Sequence, residues 1–241
     1  MSTPWKQRVY EAYASSATPS GGGADAGYRR RLPYLAARVA PLLPKDRAAE
    51  IVDLGCGPGH LVRFLGELGY TRVRGVDISP EQVALARRSG LGNVELGGIV
   101  EHLRRNPAAH DAVLMMDVLE HLDRQELFDV LDAAHASLRP GGLLLLHLPN
   151  AEGPFGMGIR YGDITHETCF TASSISQCLS VCGFSGVRCV DDAPVVHGAL
   201  SLARRAVWIA FAAASKLYAL AETGSAPRCV AGTMLVAARR D

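Results

Sequence analysis

The chain has almost no surplus of either charge: 25 Lys and Arg against 24 Asp and Glu leave a net +1. That balance makes nucleic acid an unfavoured partner, because binding a polyanion draws on an excess of cations. The six cysteines, at 56, 169, 178, 182, 189 and 229, contain no C-x-x-C pair, which removes the usual mark of a zinc site or redox dithiol. Cys178 and Cys182 lie one helical turn apart and read as small buried hydrophobes rather than as metal ligands. No signal-peptide pattern opens the sequence, so a reducing cytoplasm is expected. No internal repeat is visible. Only ten uncharged residues, Ala206 to Ser215, separate Arg205 from Lys216, and a bilayer span takes about 20.

What is present fits one α/β unit. With 241 residues and 48% hydrophobic content, the chain is long enough to bury a substantial core. A short helix carrying Trp5, Tyr10 and Tyr13 precedes a Ser/Gly/Pro/Ala stretch, Ser15 to Gly27, expected to be a flexible hinge. Residues 1–27 are thus expected to form a cap helix and hinge, and 28–241 the main domain. Strands at 50–54, 73–77, 93–96, 111–116 and 142–148 alternate with helices at 60–68, 80–89, 99–105 and 123–138. That alternation predicts a doubly wound, mostly parallel sheet. Residues 149–170 begin with a Gly- and Pro-rich loop at the carboxyl edge of the sheet, where loops are usually functional. A helix at 172–182, a strand at 184–190, an apolar helix at 199–221 and a strand at 230–237 complete the chain.

The most informative stretch is Ile51-Val52-Asp53-Leu54-Gly55-Cys56-Gly57-Pro58-Gly59. It reads as a buried strand entering a glycine-rich turn and then a helix. Glycines at alternate positions let a ligand lie against the backbone, and the helix points unpaired N–H groups at it. Dinucleotide folds use G-x-G-x-x-G. Here the spacing is G-x-G-x-G led by an acid, and Asp77 follows Gly55 by twenty-two residues, where a carboxylate can accept both ribose hydroxyls.

These motifs resemble those of the class I S-adenosylmethionine (SAM) methyltransferases. The resemblance implies a seven-stranded, mostly parallel Rossmann-like sheet ending in an antiparallel strand pair, with SAM as cofactor and S-adenosylhomocysteine (SAH) as product. It implies cofactor contacts from Asp53, Gly55, Cys56, Gly57 and Gly59 in the first turn, and from Asp77 and Ile78 after the second strand. Gly98 stands where the fold often has an acid facing the adenine, leaving Ile99 and a backbone group for that role. Met116 and Asp117 complete the set, together with Arg30, which resembles an arginine that reaches the cofactor carboxylate.

Asp117-Val118-Leu119-Glu120-His121 forms a D-x-x-E-H run. A helical turn starting at Asp117 would place Asp117, Glu120 and His121 on one face. The run resembles the E-x-x-E-H of ubiquinone-biosynthesis O-methyltransferases and of small-RNA 3′-terminal 2′-O-methyltransferases, with the shorter Asp in place of the first Glu. In those families the acids and histidines bind a divalent metal at the acceptor hydroxyl, and the small-RNA family adds a histidine that His166, in Asp163-Ile164-Thr165-His166-Glu167, matches. Three readings stay open. Asp117, Glu120, His121 and His166 hold Mg²⁺ or Mn²⁺; or His121 or His166, with Glu120 beside them, removes the acceptor proton; or Glu120 and His121 are structural and hold the loop and the cofactor. The other histidines, at 102, 110, 135, 147 and 197, have no spacing partner and read as core or surface residues.

The expected activity is O-methylation of a small molecule or glycan, with a sugar hydroxyl as first acceptor by resemblance to bacterial surface-glycan and natural-product methyltransferases. RNA 2′-O-methylation and a SAM-binding module without turnover are the alternatives. The helix at 199–221, basic at both ends, is expected to pack on the core, to wall an acceptor pocket, or to rest peripherally on the inner face of the membrane. The oligomeric state is left open.

Overall fold

The structure is a computed structural model that describes residues 4–12 and 24–241. Its strands are β1 (Ile51–Leu54), β2 (Val73–Asp77), β3 (Val94–Leu96), β4 (His110–Met116), β5 (Leu138–Pro149), β6 (Phe184–Asp191) and β7 (Thr233–Arg240). They form one sheet in the order β3-β2-β1-β4-β5-β7-β6. From β3 to β5 the neighbours are parallel, and β7 runs antiparallel to both β5 and β6. This is the doubly wound sheet with an antiparallel ending that the motif resemblance implied.

The helices are α1 (Pro4–Glu11), α2 (Ala24–Tyr34), α3 (His60–Glu67), α4 (Pro80–Arg88), α5 (Ile99–Arg105), α6 (Arg124–Ser137), α7 (Gly156–Arg160), α8 (Ala172–Val181) and α9 (Ala199–Thr223). Alternation along the central strands divides the core in two. Leu54, Val113 and Leu144 pack with Leu103 of α5, Leu131 of α6 and Ile175 of α8. Ile51, Leu114 and Leu145 pack with Leu61 and Leu65 of α3 and Val83 of α4. Because both faces are covered, β1 is buried at all four positions, as a central parallel strand must be. Local chemistry sets the helix starts: Asp123 and Glu126 form a capping box at α6, and the Ser79 side chain accepts from Gln82 N–H at α4.

Three boundaries differ from expectation. Tyr13 and most of the expected hinge lie outside the described residues, but Ala24–Gly27, placed in that hinge, form the first turn of α2. β5 begins at Leu138, which pairs with His110 before an irregularity; the regular ladder resumes where Leu143 faces Ala112. The Arg139-Pro140-Gly141-Gly142 turn therefore interrupts the strand rather than preceding it, with Gly141 at φ 76°. The final strand starts at Thr233 rather than 230, because the amides of Val230 and Ala231 are taken by Asp191 Oδ1 at 3.0 and 2.7 Å.

Candidate active site

The glycine turn after β1 lies at the carboxyl end of the sheet, the edge at which open α/β folds bind ligands. Gly57, at φ 54°, has a backbone that a Cβ would extend into open space, with Gln82 Oε1 the nearest atom at 3.9 Å. Gly59 differs: a Cβ there would meet Leu91 Cδ1 at 2.4 Å. Close helix packing requires glycine there, and Gly59 lies outside the lining of the two cavities described next.

Two cavities meet at this turn, sharing Gly55, Gly57, Gln82 and Asp117. The larger, about 890 Å³, is lined by Asp77, Ile78, Gly98, Ile99 and His121, with Lys6 and Tyr10 from α1. The smaller, about 460 Å³, is lined by Arg31, Asp53, Cys56, Met116, His147 and Asp192. Arg31 lines this cavity, whereas Arg30, the arginine expected at the cofactor, lines a different depression beside Pro194 and His197. One helical position decides this, and a run of three arginines conceals it.

Both acids of the cofactor motif are buried. Asp77 accepts Gly57 N–H at 2.7 Å and Ser79 N–H at 2.8 Å, one through each oxygen. Burial raises its pKa, and these two hydrogen bonds oppose the rise. Each oxygen keeps acceptor capacity for a ribose hydroxyl. Burial, then the nearby charge of Asp77, pushes Asp53 up to about 8, and its Oδ1 has no hydrogen-bond partner. A buried acceptor without a partner fits a cationic ammonium, and Arg31 in the same cavity fits a carboxylate. An amino-acid ligand end carries both.

Asp117 does not begin a helical turn. Its φ is 59°, and the 3₁₀ turn that follows comprises Leu119–His121. The side chain is directed to His147, whose Nδ1 it meets, while His147 Nε2 lies 3.1 Å from Asp192 Oδ2. Burial opposes charge on His147, but Asp117 outweighs it with help from Asp192, pushing the imidazole up to about 10. The same pairing overcomes burial and holds Asp117 below the usual carboxylate range. His147 is thus a charged bridge between two acids and not an unpartnered histidine. Only the folded sheet brings residues 117, 147 and 192 together.

Glu120, His121 and His166 do converge. Each offers a ligand atom within 4.8 Å of the others, and Asp117 is not in the group, which corrects the expected four-residue set. Glu120 is buried with Oε2 unpartnered, and burial, then Asp117, pushes it up to about 8. The two imidazole rings are edge to face at 4.8 Å. Burial, then His166, pushes His121 down to about 4.

Hydrogen bonds fix both tautomers. Asp163 Oδ1 accepts the Thr165 hydroxyl at 2.6 Å, so Thr165 Oγ1 serves as acceptor for His121 Nδ1 at 2.7 Å. His166 Nδ1 donates to the Ile159 carbonyl at 2.9 Å. Each imidazole therefore keeps its Nε2 lone pair for a proton or a metal. Sequence spacing missed Thr165 and Asp163, although both lie in the segment that suggested His166. Lys6 was missed as well. Buried at the mouth, it donates to the His121 carbonyl at 2.9 Å and pairs with Glu126 and Glu167, each at 3.3 Å.

The sheet order, the acid-led glycine turn and the paired crevice define a class I SAM-dependent methyltransferase, with SAM as cofactor and SAH as product. Residues 27–188 match a methyltransferase-domain family, and the chain belongs to it. It is 35% identical over 188 residues to a tRNA U34 carboxymethyltransferase of Hahella chejuensis, covering 72% of this chain and 55% of that protein. It is 36% identical over 125 residues to a ubiquinone biosynthesis O-methyltransferase of Xanthomonas campestris, covering 50% and 49%. The chain thus spans about half the length of the curated relatives it matches. A solved SAM-dependent methyltransferase from Archaeoglobus fulgidus shares the fold at a TM-score of 0.64 and 19% identity, covering 96% of this chain and 98% of that one.

Proposed function

We propose that the chain methylates a hydroxyl oxygen of a small-molecule or glycan acceptor, with a sugar hydroxyl as the first candidate. The observation carrying this reading is the Glu120, His121 and His166 cluster, where two imidazoles with committed Nδ1 atoms keep Nε2 lone pairs beside an unpartnered carboxylate. A sugar hydroxyl is weakly nucleophilic at neutral pH, so its proton must be removed as the methyl arrives.

Bound SAM supplies a sulfonium methyl that transfers in line and leaves a neutral thioether. The chain supplies alignment and proton removal. Asp77 would hold the ribose, Arg31 and Asp53 the two charges of the amino-acid end, and Ile78, Gly98 and Ile99 would border the adenosine side. His121 Nε2 receives the hydroxyl proton, while Thr165 and Asp163 keep the imidazole in the required tautomer. The donor set of one carboxylate and two imidazoles also suits Mg²⁺ or Mn²⁺, which at this position would lower the hydroxyl pKa.

The test is turnover with and without EDTA, on acceptors found by a mass screen for one added methyl. If the cluster works through a metal, EDTA abolishes turnover and added Mg²⁺ or Mn²⁺ restores it. If His121 is the base, EDTA is without effect and His121→Ala loses activity while keeping SAM. Full activity of His121→Ala and His166→Ala, with EDTA present, removes both roles. The tRNA-acting relative motivates a second reading, and a methyl gain on RNA alone would establish it.

A further inference from the structure

Of the 25 residues of α9, only Ser201 and Ala212 are buried. Arg205, Trp208 and Ala219 are partly buried and fall on the same stripe, at three- and four-residue spacing. That stripe faces the body of the protein. The remainder of the helix presents Val207, Ile209, Phe211, Leu217, Tyr218 and Leu220, with exposures from 43% to 72%. Of the three roles expected for this helix, packing on the core therefore accounts for one stripe only. A continuous apolar face of this kind on a folded chain marks a surface that another body covers.

The face extends towards the candidate active site. Phe155 stacks on Phe211 at 6.2 Å with 13° between the rings. In the segment leading from Phe155 to His166, Met157, Tyr161 and Ile164 are exposed as well.

Length and charge decide what covers it. The ten uncharged residues between Arg205 and Lys216 rise only about 15 Å, and no helix among the described residues is long and apolar enough to cross a membrane. Of its cations, Arg204 is exposed and Lys216 partly exposed, against Glu222 alone, while Arg205, on the stripe that faces the body, donates to the Pro194 carbonyl at 3.3 Å and lies 5.0 Å over the Trp208 ring. A second copy would bring the same surplus of cations to the interface. An anionic headgroup layer neutralises those cations while the acyl boundary receives the apolar side chains.

We propose that α9, with the exposed side chains between Phe155 and Ile164, docks on an anionic phospholipid surface. An acceptor would then be met at the lipid–water boundary. That consequence rests on the proposed O-methylation; the docking does not.

The experiment is flotation of the full chain with phosphatidylcholine vesicles, with and without phosphatidylglycerol. Binding is expected with phosphatidylglycerol only, weakening as salt is raised. Arg204→Gln should lower affinity about fivefold, the equivalent of roughly 1 kcal/mol per surface cation. Val207→Asp with Phe211→Asp should abolish flotation, while an unchanged melting-temperature rise with SAH shows that the fold and cofactor site persist. Absence of flotation at low salt overturns the proposal. So does a dimer in sedimentation equilibrium that ignores vesicles and dissociates with Phe211→Asp. Loss of methyl transfer on a soluble acceptor with flotation intact would count against the acceptor reading alone.

Discussion

Asp53 and His147 show how their surroundings assign opposite states to two ionisable groups of one cavity, burial dominating at Asp53 and the neighbouring acids at His147. Asp53, pushed up to about 8, keeps its proton at neutral pH in the ligand-free chain. Its folded pKa lies above the ordinary carboxylate value, so the associated stability is full at low pH and is lost as pH rises towards about 8. Asp53→Asn should flatten that part of the pH–stability curve. The ligand ammonium favours the ionised form, so SAM binding should release a proton at pH 7 and tighten up to about pH 8. Calorimetry in buffers of different protonation enthalpy reads this directly, and equal heats would refute it. For His147, the charged bridge to Asp117 and Asp192 predicts that His147→Gln weakens SAH binding, by leaving the cavity acid Asp117 unpaired. Urea unfolding should show a loss of about 1 kcal/mol, far below that of a fully buried pair, because the Asp117 side chain is 44% exposed and solvent screens it.

α1 shows how a buried lysine helps to anchor a short element. Eight residues make a marginal helix alone, yet Lys6 fastens it to the His121 carbonyl, Glu126 and Glu167. Tyr10 beside it is pushed up to about 12 by burial, then by Glu126, so its hydroxyl stays neutral where α1 lines the larger cavity. We infer a cap that closes over the cofactor and excludes water. Lys6→Met should raise amide exchange across residues 4–12 by about tenfold, corresponding to a lost hydrogen bond to a charged group. Bound SAH should slow exchange of the same amides in the unaltered chain. Equal exchange with and without SAH would remove the cap from the mechanism.

For the molecule as a whole, cofactor binding and folding are linked, because the crevice exists only when β1, β2 and β4 are paired. SAH at a hundred times its Kd should stabilise by about 2.7 kcal/mol, raising the melting temperature by roughly 5–10 °C for a domain of this size. Asp77→Ala should remove most of that rise by deleting the ribose acceptor. A rise with NADH in place of SAH would contradict the cofactor assignment.

The sequence by itself determined the class of fold and the cofactor edge. Apolar strands, helix caps and an acid-led glycine turn act over a few residues each, and their chemistry is local. The same locality made Glu120, His121 and His166 legible, since a short run and a short loop contain all three. Tertiary structure decided the rest. Asp117 faces His147 because its left-handed backbone departs from the helical turn that spacing implied. Arg31 rather than Arg30 lines the crevice cavity because helix phase against the sheet is set by packing. The bridge among residues 117, 147 and 192 and the Lys6 anchor join segments far apart in the chain, and no periodicity encodes such distances. The exposure of α9 was likewise undecided, because an apolar helix reads the same whether it packs on a core or faces outward.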